Sequence, residues 1–391
     1  MNLQPLRRRL ATALIGGLLA ATVSGCAHVQ PSGPDARTLL HDEWFGPSTE
    51  DTSPERVLAL SDDMRAYADK ELRAQFGHRD PRRVLVEALR DRGQLHLAYD
   101  AAHTGNAAET FASRSGNCLA LVLMTGAFAR HLELPVTFRA VQLDPQYTRA
   151  GGLTLESGHV NIVLGHIGEK PTWGSDSLVV DFVPAAELSG HSFVPLQENT
   201  VISMYMNNRA AETLADGHVD DSYAWARAAL MQDPGHASAV NTLAVIYMRR
   251  GQPEAAEQTL RYALTREPEN TASLSNLVLV LRGTGRLAEA EVVSAQLKAL
   301  QPHPPFYFLE AGRRALAEGH AAEARDLFDR ELRRQPYQHE VHFWSAQAWL
   351  QLGNGTKAAE HLRQAMDYST TMASQRLYSA KLDRLRALHL Q

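Results

Sequence analysis

Cys118 is the residue whose surroundings point most directly to nucleophilic chemistry. It follows the short polar segment Gly116-Asn117 and precedes an apolar run from Leu119 to Leu132. That run predicts a buried helix with the thiol in its first turn. The helix dipole there favours a thiolate, and free backbone N–H groups can stabilise an oxyanion. Judged on its local sequence alone, such a cysteine is also explained as a small core residue.

His159 and Asp181 supply the two partners that a nucleophilic cysteine needs. His159 begins the predicted strand 159–164, and Asp181 lies within the predicted strand 178–183. A carboxylate inside an apolar strand is costly to bury without a partner, and a histidine on the next strand can be that partner. Cys118 would then be the nucleophile, His159 the base and Asp181 the group that orients it. Separately, the histidine could be structural and the aspartate could begin a turn.

The elements that must position these residues form an α+β first half. Ser53-Pro54-Glu55 is a helix start, and helical spacing continues to about Gln75; a second helix is predicted over 81–89. Besides the two strands already named, the β-branched residues 136–143 predict a third.

The second half of the chain repeats with a period of 34 residues. Glycines stand at 217, 251, 285, 319 and 353, prolines at 234, 268, 302 and 336, and alanines at 256, 290, 324 and 358. Glycine between two helices and proline after the second are typical of the tetratricopeptide repeat. Five repeats are predicted over 203–236, 237–270, 271–304, 305–338 and 339–372, with a capping helix over 373–391.

The first half resembles the transglutaminase-like cysteine superfamily, whose core is papain-like. The matching segments are Tyr99-Asp100, Thr104–Phe111, Gly116-Asn117-Cys118, His159-Val160-Asn161 and Val180-Asp181-Phe182. The resemblance covers roughly residues 56–200 and implies catalytic roles for Cys118, His159 and Asp181. It implies a transamidase, peptidase or amidase, although the superfamily also has inactive members. Two departures are Asn161, where many members carry an aromatic residue, and an unmatched oxyanion donor, for which Gln94 and Asn117 are candidates.

The start of the chain has the pattern of a bacterial lipoprotein signal. Arg7 to Arg9 precede an apolar stretch too short to span a membrane, and Val23-Ser24-Gly25-Cys26 resembles a lipobox. This predicts removal of residues 1–25 and a lipid anchor on Cys26; Ala27 after it favours the outer membrane, with the protein facing the periplasm. An ordinary signal or a retained anchor is the alternative. Residues 26–53, rich in proline and glycine, predict a flexible tether to a transglutaminase-like domain over 54–202.

Composition narrows the classes of partner. The 391 residues are 44% hydrophobic and 21% charged with net charge −5, so a dominant nucleic-acid-binding role is not expected. No metal-binding or cofactor-binding motif is found. The repeats predict a groove for a protein or peptide, with candidate residues Asn207, Asn241, Val245, Arg249, Ser275 and Arg282. The expected protein is an anchored peptidase, amidase or transamidase; the alternative is a non-enzymatic scaffold or assembly lipoprotein.

Overall fold

A computed structural model describes most of the chain beyond its first segment. The predicted signal 1–25, the predicted lipidation site Cys26 and the oxyanion candidate Gln94 lie outside the described residues. The structure describes residues 35–89, 98–99, 103–150, 153–165, 177–182, 192–369 and 372–387. No helix in these ranges has both the length and the apolar character needed to cross a membrane.

The N-terminal part begins with short helical segments. Single 3-10 turns cover Ala36–Leu39, Asp42–Trp44 and Pro54–Arg56, and the helices that follow are α1 (Asp62–Tyr67), α2 (Pro81–Leu89), α3 (Ala107–Ser113) and α4 (Cys118–His131). A π turn (Ala68–Leu72) and a 3-10 turn (Arg73–Gln75) follow α1.

The helix predicted to run from Ser53 to Gln75 is therefore interrupted. The turn at Pro54–Arg56 ends after three residues, and α1 starts afresh where the Ser61 hydroxyl accepts the Met64 N–H. Two acids follow Ser61 in the first turn of α1 and favour that start through the helix dipole.

Helix α4 is the centre of the N-terminal core. Every residue from Leu119 to Ala129 is buried, because the helix is apolar on all sides and is covered by its neighbours. Gly126 lets β3 and β4 come close: a Cβ there would stand 2.9 Å from the Phe138 ring and 3.5 Å from Ile162.

A four-stranded antiparallel sheet packs beside α4. Its strands are β3 (Val136–Ala150), β4 (Leu153–Leu164), β5 (Leu178–Val180) and β6 (Phe193–Leu196), in the order β5-β4-β3-β6. A separate parallel pair joins β1 (Ala98–Tyr99) to β2 (Ser115–Gly116).

The sheet differs from the sequence prediction at two places. Strands β3 and β4 extend well beyond the predicted 136–143 and 159–164, and their register shifts between Val141 and Gln146. Strand β5 ends at Val180, so Asp181 follows the strand rather than lying inside it. A side chain at a strand end is less restricted by the ladder than one inside it.

The second half consists of helix pairs followed by one further helix. These are α5 (Glu198–Ala215) with α6 (Val219–Gln232), α7 (Ala237–Arg250) with α8 (Pro253–Arg266), α9 (Thr271–Gly283) with α10 (Leu287–Leu300), α11 (Tyr307–Ala317) with α12 (Ala321–Arg334), α13 (His339–Gln351) with α14 (Gly355–Asp367), and α15 (Met372–Ala387). The periodic glycine between the two helices of each pair has a positive φ of 76–88°, a conformation that glycine adopts without strain. The first helix begins at Glu198, ahead of the predicted boundary at 203.

Residues 35–50, which we term the N-terminal strap, correct the prediction of a flexible tether over 26–53. Leu39 is buried and its carbonyl accepts the Tyr247 hydroxyl at 2.5 Å, and the Phe45 ring stacks on Tyr223 at 3.8 Å between centroids. Burying these apolar and aromatic side chains against α6 and α7 stabilises the strap. This outweighs the conformational entropy that its proline- and glycine-containing backbone loses on ordering.

Candidate active site

Cys118 stands at the first position of α4, as its sequence predicts. The Asn117 side chain caps the helix by accepting the Ala120 N–H at 2.9 Å. The thiol is free and partly exposed. The first N–H groups of a helix have no partner within it. The oxyanion that forms when this sulfur attacks a carbonyl would therefore lie beside backbone donors.

His159 and Asp181 meet in a hydrogen-bonded pair. Strands β4 and β5 run antiparallel with Ile162 opposite Val180, which brings the residue after β5 close to the His159 end of β4. The His159 Nε2 and Asp181 Oδ1 atoms are 2.8 Å apart, and each side chain is only 8% exposed. Asp181 therefore holds one ring nitrogen and leaves Nδ1 for the Cys118 thiol.

The groups around His159 favour its protonated form. Burial by itself lowers the pKa of an imidazole. Hydrogen bonds to Asp181 and Cys118, together with the charges of both groups, outweigh burial and raise the pKa of His159 to about 10. The three residues can thus hold an imidazolium next to the sulfur, which is the state in which a cysteine attacks a carbonyl.

Asn117 is committed to a structural network. Besides capping α4, its Nδ2 donates to the Thr104 Oγ1 at 2.7 Å, and Thr104 in turn donates to Glu212 on α5 at 2.6 Å. The oxygen and one of the two N–H groups of its side-chain amide are thus used within the fold, which ties Asn117 to a structural role. The N–H groups at the start of α4 are better placed for the predicted oxyanion role.

Sequence reasoning missed two residues next to the site. Asn161, which is completely buried, donates to Asp181 Oδ2 at 2.9 Å. Arg139, its cross-strand partner on β3, donates from Nε to Asn161 Oδ1 at 3.1 Å. One signal was present in the sequence: Asn161 lies two residues after His159, and a two-residue step on a strand returns to the same face.

Comparison with known proteins identifies the second half of the chain. Family models of the tetratricopeptide repeat match residues 213–262, 241–304 and 309–368. This part of the chain is a tetratricopeptide-repeat solenoid. The matches confirm the repeat predicted from the 34-residue spacing of glycine and proline. They begin at residue 213, so they concern the solenoid and leave the N-terminal sheet to be interpreted from its own geometry.

Solved repeat proteins are similar to the chain at low identity. PilF of Pseudomonas aeruginosa is 21% identical, covering 49% of this chain and 87% of its own, with a TM-score of 0.28. A thermophilic repeat protein of Thermus thermophilus is 18% identical, and the match covers 46% of this chain and 98% of that protein with a TM-score of 0.29. YrrB, described as having an unusual peptide-binding site, is 20% identical, with 46% and 92% covered and a TM-score of 0.25. No curated protein matches the sequence.

The predicted groove residues lie on the first helices of the first three repeats of the solenoid. Asn207 on α5 and Asn241 on α7 are half-buried; Asn241 accepts from Asn276 on α9 at 3.0 Å, so the two helices are joined across the repeat boundary. The Asn207 Oδ1 is buried without a hydrogen-bond partner within the described structure.

The remaining four candidates differ in their surroundings. Val245 packs against the core, whereas Arg249 and Ser275 are exposed. Arg282 pairs with Glu291 of α10 at 3.0 Å, in the same repeat. Val245 is thus a packing residue in part, and Arg282 already has an anionic partner.

The solenoid also contacts a strand of its own chain. Gln338, just before α13, donates its side-chain amide to the backbone carbonyl of Tyr147 on β3 at 2.9 Å, and Tyr147 packs against the apolar cluster of the fourth repeat. An amide side chain that holds a backbone carbonyl is one way in which a surface binds an extended peptide.

Proposed function

We propose that the chain is a cysteine amide hydrolase or transamidase with a transglutaminase-like, papain-like N-terminal domain. The observation that carries the proposal is the buried His159, whose Nε2 pairs with Asp181 at 2.8 Å and whose pKa is raised by both Asp181 and Cys118. Neither a core cysteine nor a structural histidine requires the other two groups. Their meeting from a helix start, a strand and a strand end supports a nucleophile, a base and an orienting acid.

The proposed reaction uses groups of this chain alone. The Cys118 sulfur attacks the carbonyl carbon of an amide, and the carbonyl electron pair moves to oxygen, beside the N–H groups of α4. When the intermediate collapses, the C–N bond breaks and the leaving amine takes the proton from His159. A thioester on Cys118 remains.

The second half-reaction decides between hydrolysis and transfer. Water adds to the thioester carbonyl and gives its proton to His159, the C–S bond breaks, and a carboxylic acid leaves with the thiolate and imidazolium restored. An amine in place of water gives a new amide. We favour water, since an aqueous compartment supplies it in excess.

We propose further that a lipid on Cys26 anchors the protein to the outer membrane on the periplasmic side. The Val23-Ser24-Gly25-Cys26 pattern supports this. Several acyl chains would hold it firmly, at about 0.8 kcal/mol for each buried CH₂. Labelled palmitate should enter the full-length protein and should be absent from Cys26→Ser; a Cys26→Ser protein that still takes up the label refutes the anchor.

The test of the site needs no substrate. We expect iodoacetamide to alkylate Cys118 in the full-length protein at about pH 6, well below the range in which a free thiol ionises. His159→Ala should remove this reactivity. His131→Ala is the matched control, because His131 also pairs with a carboxylate, Asp69, at 2.9 Å. It lies at the other end of α4, about 20 Å away. Equal rates for all three proteins would refute an activated nucleophile.

The substrate can be sought by trapping. Incubating the full-length protein with a cell-envelope extract and quenching in acid should leave an acyl group on the peptide containing Cys118, identified by mass spectrometry. Cys118→Ser and Cys118→Ala should both show none, because neither side chain supplies a thiolate. An adduct of equal amount on Cys118→Ala would place the modification elsewhere.

A scaffold that binds a protein partner through the solenoid is the second candidate. The family matches support binding by the repeats, and the half-buried Asn207 and Asn241 on the first helices of two repeats are the candidates for contacting a peptide. Crosslinking should lose the partner in a protein carrying Asn207→Ala and Asn241→Ala. Gln258→Ala, on the exposed surface of α8, serves as the control. If crosslinking depends on these asparagines while Cys118 is unreactive, the scaffold is favoured.

A further inference from the structure

A line of side-chain contacts crosses the sheet behind His159. It starts at Phe193 on β6, whose ring carries the Arg139 guanidinium 4.3 Å from its centroid. Arg139 on β3 donates to Asn161 on β4, and Asn161 donates to Asp181 after β5. These contacts therefore follow the spatial order of the four strands, from β6 through β3 and β4 to the end of β5. The last of them is made by the carboxylate that binds His159.

Arg139 fixes which way the Asn161 amide points. An amide can be turned end for end with little change in shape, so its orientation depends on its partners. A guanidinium only donates, and the atom facing it must be the amide oxygen. The NH₂ group is then turned to Asp181 and must donate to a carboxylate oxygen, since an ionised carboxylate only accepts.

The Asn161 donor also fixes the carboxylate. One Asp181 oxygen accepts from Asn161 at 2.9 Å and the other accepts from His159 at 2.8 Å. With both oxygens held, the carboxylate plane cannot rotate about its χ2 bond without breaking a hydrogen bond to a charged group. Asn161 is fully buried, so water does not replace its donor.

We infer that Asn161 and Arg139 are positioning residues, which hold the Asp181 carboxylate in the plane that keeps His159 directed at Cys118. This inference rests on the proposed cysteine chemistry and adds to it the part of the site that the superfamily resemblance did not supply. At the position where many members carry an aromatic residue, this chain has an amide locked by an arginine.

The test compares alkylation of Cys118 at about pH 6 and about pH 9, with a free thiol titrating between the two, near 8.5. Asn161→Asp keeps the volume but faces Asp181 with a second acceptor. We expect its rate at the lower pH to fall at least about tenfold, the worth of one hydrogen bond to a charged group. Its rate at the higher pH should stay within about twofold of the unsubstituted protein, because any accessible thiol is ionised there. A merely structural role would change both rates together.

Arg139 gives a second, independent variant. Arg139→Met removes the donor and should reproduce the loss at low pH, whereas Arg139→Lys keeps a donor and should retain most of the rate. Arg139 is only partly buried, so this pair remains informative if Asn161→Asp fails to fold. Unchanged low-pH rates in Arg139→Met and in folded Asn161→Asp overturn the inference. If His159→Ala also leaves the rate unchanged, the proposed function fails first.

Discussion

The contact between α4 and the sheet sets the distance between the sulfur and the imidazole, and Gly126 lies at a close approach between the two. A Cβ at this position would stand 2.9 Å and 3.1 Å from two carbons of the Phe138 ring and 3.5 Å from Ile162. Both neighbours are buried, so neither can withdraw into solvent. Gly126→Ala must therefore push β3 and β4 away from α4, which carries Cys118.

The change in the free energy of unfolding caused by Gly126→Ala follows from two opposing effects. Alanine in a helix interior is favoured over glycine by about 1 kcal/mol. Overpacking a filled core costs about 1–3 kcal/mol. We expect Gly126→Ala to lower the free energy of unfolding by up to about 2 kcal/mol. Displacing His159 by a few tenths of an ångström should also reduce low-pH alkylation of Cys118 severalfold, since a shift of about 1 Å can cost 100-fold.

Gly283→Ala provides the comparison. Gly283 is the last residue of α9, and a Cβ there would meet no atom within 4 Å. Denaturant unfolding and hydrogen exchange of α4 should show α4 less protected in Gly126→Ala and unchanged in Gly283→Ala. A Gly126→Ala protein with greater α4 protection and full alkylation would show that the core accommodates the methyl group, and would refute this account of the interface.

Three further predictions concern the strap and the solenoid. Gly312→Ala should destabilise the fourth repeat in denaturant unfolding, since its Cβ would lie 2.5 Å from the buried Phe328 ring; an unchanged midpoint would contradict this. Burial lowers the pKa of His361 to about 4, so the stability it contributes should be complete above about pH 6.5 and decline on acidification toward pH 4; His361→Gln should flatten that decline in thermal scans. Phe45→Ala removes the stack on Tyr223 and should make the strap a site of proteolysis that the unsubstituted protein lacks.

The solenoid could be predicted because its marker residues act locally. Each periodic glycine, such as Gly251, adopts a positive φ in the turn between two helices, and this requirement is visible without knowing any distant contact. The position of Cys118 at a helix start can be predicted for the same reason, because the polar Asn117 cap and the apolar run after it define that start. Pairing His159 with Asp181 needed one tertiary argument, the cost of a carboxylate beside apolar strand residues.

The features that the sequence does not predict depend on contacts between distant parts of the chain. Residues 35–50 have the composition of a tether, but Tyr223 and Tyr247 offer their aromatic side chains only once α6 and α7 have formed. Arg139 acquires its role from the register of β3 on β4, which places it opposite Asn161. Neither that register nor the shift after Val141 can be read from hydrophobic alternation, which is the same for any slip of two residues.

The two halves of the chain are joined by more contacts than the sequence pattern predicts. Thr104 accepts from Asn117, which caps α4, and donates to Glu212 on α5, the first helix of the solenoid. Arg209 joins Glu212 to Glu50 of the strap. The helix that begins at Cys118 is thus linked to the solenoid through half-buried charged groups, whose removal leaves their partners without a hydrogen bond. Deleting residues 203–391 would remove Glu212 and disturb the Asn117 cap along with the groove. A loss of reactivity after that deletion would therefore not separate substrate recruitment from support of the site. Substitutions of groove residues that leave Glu212 in place can do so.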